Sequence, residues 1–455
     1  MSLWTAAEIA IATGGTVQGD FEVTGVAFDS REVESGDLFV AMSGEATDGH
    51  RFLPHAFAAG AGGAIASERC DGPHVRVADG FAALQALARA ARDRSAARIV
   101  GVTGSVGKTS AKEALYAALE RSNHGQVHRS VKSYNNHTGV PLSLARMPRD
   151  AGFGVFEMGM NHAGELAALT RMVRPHVAIV TAIAPAHLEF FADEAAIADA
   201  KAEVFEGLEP GGTAIVPFDS PHRDRLVAAA REHAERVVTF GLEKGADVHA
   251  REAMRVGTGG TFVTVTLGGG RELSLTVGQP GAHHVSNALA VLAAVDALGA
   301  DLGQAGLALA ELGGLAGRGA RIRVPVAGGE ALVIDESYNA NTASMRAALA
   351  VLGDEPGRRI AVLGEMRELG ERSGELHAGL ADAVIAARVE RALLVGEATV
   401  PLARALEGAV DLVHVVDANA ALSSLRDLIA PGDAVLVKGS NGVGLSRVVA
   451  GLGGA

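Results

Sequence analysis

Residues 98–110 read RIVGVTGSVGKTS, and this stretch decides the fold of the chain. A short apolar run leads into a glycine-rich turn that ends in Gly107-Lys108-Thr109, and an amphipathic segment follows. Backbone N–H groups of such a turn and the positive end of the next helix converge on an oligophosphate. The pattern therefore predicts a phosphate site in which Lys108 supplies a cation and the Thr109 hydroxyl holds Mg²⁺.

The glycine spacing of this segment departs from the general phosphate-loop rule. The rule G-x-x-x-x-G-K-[ST] needs glycine at position 102, where the chain has Val102, and Gly101 and Gly104 flank that position. An ordinary glycine-rich turn between a strand and a helix is the alternative interpretation. The Gly-Lys-Thr triplet favours the phosphate site because it stands where strand, loop and helix should meet.

Composition bounds the architecture and the class of partner. A chain of 455 residues predicts three domains at roughly 100–200 residues each, and 48% hydrophobic residues can fill their cores. The net charge of −13 argues against a dedicated binder of nucleic acid or of anionic membranes. The single Cys70 excludes an internal disulfide framework and fits a reducing compartment.

Neither a targeting segment nor a membrane span is predicted. The residues MSLWTAAEIA at the start carry an early acidic residue and lack the basic region of a signal peptide. No apolar stretch reaches the roughly 18 uninterrupted residues of a spanning helix. We expect a soluble, cytoplasmic, monomeric protein that acts on small molecules.

The order of strand and helix patterns predicts an α/β protein of three domains. Residues 1–93 form a small α/β domain, and residues 94–318 alternate strands and helices around the phosphate loop, which predicts a mostly parallel sheet. Residues 319–455 repeat the alternation as a doubly wound, Rossmann-like domain. The predicted strands are residues 25–29, 37–41, 63–67, 154–158, 177–183, 213–217, 262–267, 273–277, 331–335, 359–363, 391–395, 412–416 and 434–438.

Lysine is scarce in this chain, with six residues against thirty-four arginines. The positions that keep lysine are therefore enriched for sites that need a compact charge or a reactive amine. Lys112 and Lys244 are interpreted as ordinary surface residues.

Polar residues of ligand type follow two predicted strands of the central sheet. Glu157 ends the first of these strands, and His187 follows the second by a few residues. Ligands bind beyond the carboxyl ends of parallel strands, so both side chains are placed to hold a cation near the phosphates. A capped turn and a hydrogen-bonded loop histidine are the structural alternatives.

Lys201 interrupts the apolar stripe of the helix predicted after Asp193. That stripe runs from Ile197 to Leu208. A buried lysine is costly unless it is paired or chemically altered, although a side chain that reaches the surface is the alternative. As a hypothesis, a neutral Lys201 amine reacts with CO₂ to form a carbamate, which would ligate Mg²⁺ beside Glu157 and His187.

The motifs of the whole chain, taken in order, resemble those of the Mur ligases. The quoted stretches are Gly104-Ser105-Val106-Gly107-Lys108-Thr109, Ser133-Tyr134-Asn135-Asn136, Glu157-Met158-Gly159, Pro185-Ala186-His187-Leu188-Glu189, Ala200-Lys201-Ala202-Glu203 and Asp335-Glu336-Ser337-Tyr338-Asn339-Ala340-Asn341. The resemblance implies that ATP phosphorylates the carboxylate of a UDP-linked muramyl tripeptide. The amine of D-alanyl-D-alanine then attacks the acyl phosphate, giving an amide, ADP and phosphate.

The resemblance also implies roles for residues around ATP and Mg²⁺. The implied ATP contacts are Gly104, Ser105, Gly107, Lys108, Thr109, Ser110, Asn287, Arg318 and Asp335. The implied metal ligands are Thr109, Glu157, His187 and carbamylated Lys201, and the implied catalytic residues are Lys108, Lys201, His187 and Arg318. Four positions depart from the family pattern: His284 replaces a common asparagine, Glu336 a second aspartate, Thr342 a proline and Asn441 an arginine.

Substrate contacts implied by the resemblance come from all three predicted domains. Ser30, Arg31 and His50 stand in stretches that resemble the uridine-diphosphate turns, although such polar turns are common without function. Residues 133–136, with Asn135 and Asn136, would line the muramyl-peptide channel. Asn339 and Asn341, with residues 362–368 and 438–441, would shape the dipeptide pocket.

Two other functions stay open from the sequence. A sibling Mur ligase adds the third peptide residue, but the Asp-Asn-Pro-Arg motif typical of that enzyme does not occur in the sequence. An ATP-driven switch that ligates nothing belongs to a different class. Glu157, His187 and Lys201 argue against the switch, because it needs no acyl-phosphate apparatus.

Overall fold

A computed structural model describes residues 2–44, 47–185, 188–257 and 259–453 of the chain. Its sheets follow one another along the sequence, each with helices packed against it. Short 3₁₀ helices interrupt the loops at Gly49–Phe52, Glu203–Gly207, Gly268–Gly270, Gly370–Arg372, Glu397–Thr399 and Asn441–Val443.

The first sheet is small and mostly parallel. Its part of the chain contains β1 (Trp4–Thr5), α1 (Ala6–Thr13), β2 (Thr16–Gln18), β3 (Glu22–Val23), β4 (Gly25–Ala27), β5 (Asp37–Val40), α2 (Leu53–Ala58), β6 (Gly63–Ala66), β7 (His74–Arg76) and α3 (Gly80–Asp93). The strand order is β2-β7-β6-β5-β4, with β2 antiparallel to β7, and β1 and β3 form a separate ribbon. Thr5 begins α1 with a capping box to Glu8, which satisfies backbone donors of the first turn.

The central sheet carries the phosphate loop between its strand β8 and its helix α4. Its elements are β8 (Arg98–Thr103), α4 (Lys108–Asn123), β9 (Val127–Arg129), α5 (Gly139–Ala145), β10 (Phe153–Glu157), α6 (Glu165–Val173), β11 (Val177–Val180), α7 (Glu194–Ala202), β12 (Thr213–Pro217), α8 (Arg223–Arg231), β13 (Arg236–Gly241), β14 (Val248–Arg255), β15 (Thr261–Leu267), β16 (Arg271–Val277), α9 (Ala282–Ala297) and α10 (Leu302–Glu311). The order is β16-β15-β14-β13-β12-β11-β8-β10-β9. Pairing is parallel from β9 to β14 and antiparallel across β14, β15 and β16.

The last sheet has an antiparallel edge and a parallel body. Its elements are β17 (Ala320–Val326), β18 (Gly329–Glu336), α11 (Thr342–Gly353), β19 (Arg359–Gly364), α12 (Ser373–Ala378), α13 (Ala381–Ala386), β20 (Arg391–Val395), α14 (Val400–Ala405), β21 (Asp411–Val415), α15 (Ala418–Leu428), β22 (Ala434–Lys438) and α16 (Ser446–Gly453). The order is β17-β18-β22-β19-β20-β21, and only the β17–β18 pair is antiparallel among these described strands.

Buried apolar residues cover both faces of the central sheet. Strand β8 shows why: Val100 and Val102 pack with α4 and α9 on one face, while Ile99 packs with Phe156 on the other. Because both faces are buried, the strands are continuous apolar runs, as parallel strands require. The predicted α/β fold with mostly parallel sheets is confirmed.

Polar contacts join neighbouring sheets. Trp4 Nε1 donates to the Ala145 carbonyl at 2.9 Å, which ties the first ribbon to α5. Glu355, which is buried at the end of α11, accepts hydrogen bonds from Arg255 of β14 and from Arg321 of β17. The last sheet is therefore linked to the central one by a shared carboxylate.

Two structural predictions made from the sequence are wrong in detail. The α-helix after Asp193 ends at Ala202 and continues as a 3₁₀ helix, rather than as one α-helix through Leu208. Lys112 is fully buried rather than exposed, because carbonyl groups of the neighbouring loop accept from its ammonium. Across the described ranges, the structure holds no helix with the length and apolar character that a bilayer crossing needs.

Candidate nucleotide and substrate cleft

A cleft of about 430 Å³ lies between the central and the last sheet. The loops that follow β8, β10 and β11 contribute to its wall, because the carboxyl ends of parallel strands meet at one edge. The start of α9 and the loops of the last sheet complete the wall. Predicted residues that line the cleft are Ser105, Gly107, Lys108, Thr109, Ser110, Asn135, Glu157, Asn287, Arg318, Asn339 and Asn341.

The phosphate loop depends on two glycines with left-handed backbone. Gly104 has φ of 149° and Gly107 has φ of 85°. A Cβ at Gly104 would lie 2.0 Å from Thr181 Oγ1, and one at Gly107 would lie 2.6 Å from Asn287 Oδ1. No other residue type fits either position without displacing its neighbour.

Hydrogen bonds from the loop after β11 hold the phosphate loop in place. Ser105 donates its backbone N–H to the Ala182 carbonyl at 2.8 Å, and its Oγ accepts from the Ala184 N–H at 3.1 Å. Thr181 Oγ1 donates to the Val106 carbonyl at 2.5 Å. The loop therefore has a fixed shape before any ligand is considered.

Lys108 begins α4 and turns back over the loop. Its Nζ donates to the Gly104 carbonyl at 2.7 Å. Burial lowers the pKa of Lys108; the Glu157 carboxylate opposes this shift, and the nearby Arg318 adds to it. Two cations and one carboxylate thus share the phosphate end of the cleft, an arrangement suited to a polyanion.

Glu157 is the buried carboxylate of the cleft, with 1% of its surface exposed. Its Oε2 accepts from Thr109 Oγ1 at 2.8 Å and its Oε1 accepts from Asn135 Nδ2 at 2.7 Å. A carboxylate and a hydroxyl oxygen in contact are the hard ligands that Mg²⁺ prefers, so the donor set fits this ion. The predicted ligand His187 lies outside the described residues.

Lys201 is 1% exposed and does not line the cleft. Among the described residues its Nζ has no hydrogen bond and no ion pair. Burial lowers the pKa of Lys201 well below its usual value, and repulsion from Lys108 lowers it further. Lys108, at the phosphate end, is close enough to repel a positive charge on this amine, and the amine lacks the partners that normally stabilise a buried cation.

The start of α9 lines the cleft with Asn287 and two histidines whose rings are in tilted contact. The rings of His283 and His284 lie 4.0 Å apart between centroids. Burial lowers the pKa of both, and for His284 the neighbouring His283 adds to the effect. Both imidazoles are therefore neutral, which suits contact with an uncharged aromatic base.

Arg318 reaches the cleft while Asp335 does not. The Arg318 guanidinium lies 4.0 Å above the Tyr338 ring, and its Nη2 donates to Ser133 Oγ at 3.3 Å. Asp335 is 5% exposed, and its carboxylate accepts from the Gly317 N–H at 2.7 Å and from Ser337 Oγ at 2.6 Å. In this structure Asp335 holds the loop that carries Arg318.

Not every predicted substrate residue faces the cleft. Asn136 caps a turn instead, since its Oδ1 accepts from the backbone N–H of Gly139 at 2.9 Å. The Arg31 side chain is 84% exposed and donates to Asp29, and Ser30 is buried beside it in the turn that follows β4.

His50 lies in the 3₁₀ helix Gly49–Phe52, outside the cleft. Its Nδ1 is 2.6 Å from Asp48 Oδ1, and its Nε2 accepts from the Ser67 N–H at 3.0 Å. The structure therefore does not bring Ser30, Arg31 and His50 together with the phosphate end.

Several cleft residues escaped the sequence argument. Thr181 follows the buried strand β11 at the same edge as Glu157, and that position is the signal that could have found it. Lys438, by contrast, belongs to the segment 438–441 that was expected to shape the dipeptide pocket; it is 2% exposed and donates to Glu336 Oε2 at 3.2 Å and to the Asn339 carbonyl at 3.0 Å. No sequence signal foretold that Glu336 would face the cleft.

Comparisons with known proteins agree with this geometry. The chain matches the Mur ligase family, catalytic domain, over residues 22–92, the Mur ligase middle domain over residues 102–295, and the Mur ligase, glutamate ligase domain, over residues 317–441. The chain belongs to the Mur ligase family. Its resemblance to that family, first seen in the motifs, is confirmed.

Individual Mur ligases match the chain over nearly its whole length. The UDP-N-acetylmuramoyl-tripeptide–D-alanyl-D-alanine ligase of Escherichia coli (strain K12) is 35% identical, over 98% of this chain and 97% of that one. A MurF crystal structure from Acinetobacter baumannii superposes with a TM-score of 0.86 at 32% identity, covering 99% and 98% of the two chains. MurF from Thermotoga maritima, crystallised with ADP, superposes with a TM-score of 0.78 at 26% identity over 94% and 97%.

Proposed function

We propose that this Mur ligase joins D-alanyl-D-alanine to UDP-N-acetylmuramoyl-tripeptide at the expense of ATP, forming the pentapeptide precursor of peptidoglycan. The observation that carries the proposal is the lining of one cleft, in which the phosphate loop lies beside Glu157 and Asn135 and opposite Arg318 and Lys438. Relatives at 30–35% identity share the dipeptide-adding name, which supports this substrate over that of a sibling ligase.

The proposed reaction has two steps, the activation of a carboxylate and the formation of an amide. The terminal carboxylate of the tripeptide attacks the γ-phosphorus of ATP, so an acyl phosphate forms and ADP leaves. The amine of the dipeptide then attacks the acyl carbon, an amide bond forms, and inorganic phosphate leaves with the proton released from nitrogen. Lys108 and Arg318 would stabilise charge on the transferred phosphoryl group.

Thr109 and Glu157 would hold Mg²⁺, with His187 as a further ligand that the sequence alone supports. The ion would lessen repulsion between the phosphates and the incoming carboxylate. Asn135 orients Glu157 through its hydrogen bond at 2.7 Å, so it acts on the metal site from outside. Burial of Glu157 keeps bulk water from competing for this carboxylate.

Lys201 would serve as a carbamate. An uncharged amine adds to CO₂ with loss of one proton, which converts a buried base into an anion of carboxylate type. Burial and the absence of a partner among the described residues both favour the neutral amine that this addition needs. The anion would then compensate the positive charge that Lys108 and Mg²⁺ bring to the same region.

The remaining roles follow the three parts of the chain. Residues 1–93, with Ser30, Arg31 and His50, would bind the uridine diphosphate, and residues 94–318 would bind ATP. Residues 319–455 would bind the dipeptide through Asn339 and Asn341. ATP and the UDP-linked substrate are soluble metabolites, so a monomer acting in the cytoplasm suffices.

Phosphate release by the purified protein tests the proposal. With ATP, Mg²⁺ and UDP-N-acetylmuramoyl-tripeptide present, we expect release that requires D-alanyl-D-alanine, together with a pentapeptide product in the mass spectrum. Phosphate release that needs a single amino acid as the nucleophile and the UDP-linked muramyl dipeptide as the other substrate would assign the chain to a sibling ligase. A protein that binds ATP but releases phosphate with none of these nucleophiles would be a switch instead.

A further inference from the structure

Lys112 is a buried lysine whose amine contacts two carbonyl oxygens and one carboxylate. Its side chain is fully buried on α4, one turn beyond Lys108. Nζ donates to the Ser130 carbonyl at 2.9 Å and to the Lys132 carbonyl at 2.6 Å, and it lies 2.9 Å from Glu113 Oε1. Three oxygen atoms therefore surround the ammonium: two carbonyl oxygens accept hydrogen bonds from it, and Glu113 forms an ion pair with it.

The two carbonyls belong to residues 130–136, which we call the bridging loop. Lys132 has φ of 52°, a left-handed conformation that is costly for a residue with a side chain. Two hydrogen bonds from one rigid donor offset that cost. Lys112 therefore fixes the turn that aims the rest of the bridging loop.

The bridging loop contacts all three sheet-bearing parts of the chain. Tyr134 donates its hydroxyl to Glu32 of the first part at 2.7 Å. Asn135 donates to Glu157 of the central part, and Ser133 accepts from Arg318 of the last part. One anchored turn thus decides where these three side chains stand.

The phosphate loop does not depend on the same anchor. Its backbone is bound to the loop after β11, through the Ser105–Ala182 and Thr181–Val106 hydrogen bonds described above. Loss of the Lys112 ammonium would therefore loosen the bridging loop and leave the backbone of the phosphate loop in place, so an effect on the nucleotide would pass only through the Ser133–Arg318 and Asn135–Glu157 contacts.

We propose that Lys112 is a positioning residue, which locks the bridging loop to the phosphate-binding helix so that Ser133 and Asn135 meet the UDP-linked substrate. The identity of that substrate rests on the function proposed above. The selectivity of the effect, on substrate rather than on nucleotide, follows from the separate anchors of the two loops.

Steady-state kinetics of Lys112→Met tests this inference. Methionine keeps the length of the side chain and removes all three donors. We expect the KM for UDP-N-acetylmuramoyl-tripeptide to rise about tenfold to a hundredfold, and the KM for ATP to rise several-fold less, because the phosphate loop keeps its own anchors. Lys244→Met, at an exposed lysine, is the matched control and should leave both constants unchanged.

A second variant and a second measurement cover a failure to fold or a failure of the proposed activity. Lys112→Arg keeps a buried cation, and it should show the same selective rise in a smaller amount because its planar fork cannot meet all three acceptors. Hydrogen exchange of residues 130–136, measured without any substrate, should speed up in both variants while residues 104–107 keep their protection. Equal changes in both KM values, or unchanged exchange in the bridging loop, would overturn the inference.

Discussion

Helices α4 and α7 each bury a lysine on an apolar face, and the surroundings of the two amines differ. Lys112 of α4 meets three acceptors, whereas Lys201 of α7 meets none among the described residues. Burial alone is the same for both, at 0% and 1% exposed. The comparison teaches that acceptors, rather than burial, decide whether a buried amine serves as a structural cation or as a reactive base.

Activity gives the widest separation between the two lysines. Lys201→Ala removes the proposed carbamate, and we expect kcat to fall by about a hundredfold or more because a charge beside the transferred phosphoryl group is lost. Formate or acetate should restore part of the activity by filling the space with a carboxylate. Phosphate release with each acid checks this. Unaltered activity with no rescue would remove Lys201 from the mechanism.

Substitution should lower the stability of the folded protein more at Lys112 than at Lys201, which is the reverse of the order expected for kcat. Lys112→Met leaves two buried carbonyls without their donor and removes one of the two cations beside Glu113, which keeps Arg129, so we expect a loss of about 3 kcal/mol in the free energy of unfolding. Lys201→Met replaces an unpaired amine with an apolar side chain, so its stability should stay level or rise. Urea denaturation of both variants beside the parent measures the difference. Equal losses would break the comparison.

A partly buried base, His128, supplies a pH test of the same idea. His128 of β9 is 2.7 Å from the Ser143 carbonyl through its Nε2, and burial lowers the pKa of His128 to about 4. The unfolded chain binds a proton near pH 6.5 while the folded chain does not, so stability falls as pH drops from about 6.5 towards 4. We expect about 2 kcal/mol to be lost by pH 5.

His128→Gln isolates that contribution. The glutamine amide can still donate to Ser143 but does not titrate in this range, so the variant should lose less stability between pH 7.5 and pH 5 than the parent. Thermal melts across this range give the slope for each protein. Parallel slopes would show that His128 is not protonated on unfolding, and other buried histidines would then account for the acid sensitivity.

The strand ends of the central sheet were open to prediction because local chemistry places them. A glycine-rich turn between an apolar run and a helix predicts the phosphate loop, and Glu157 follows from its place at the end of a buried strand. Lys201 was also predictable, since a lysine on an apolar stripe breaks the helical pattern. Lys112 also lies among apolar positions of its helix, between Ala111 and Leu115, so the helical pattern predicts its burial as well, contrary to the interpretation of Lys112 as a surface residue.

Side chains that turn towards backbone groups escaped prediction. Asp335 binds the Gly317 N–H and Asn136 caps a turn at Gly139, and neither outcome follows from residue type or spacing. Such contacts depend on where a distant loop places its amides. Arg31 shows the same limit, because its fork onto Asp29 is a local pair that any open turn of this composition could form.

The scarcity of lysine has a practical consequence for chemical labelling. Lys112, Lys201 and Lys438 are at most 2% exposed, whereas Lys132 and Lys244 present their amines to solvent. A succinimidyl ester will therefore modify Lys132, within the bridging loop, and Lys244, after β13. Peptide mass spectra then contain an internal standard: ligand protection of Lys132 can be read against the unprotected Lys244 of the same molecule.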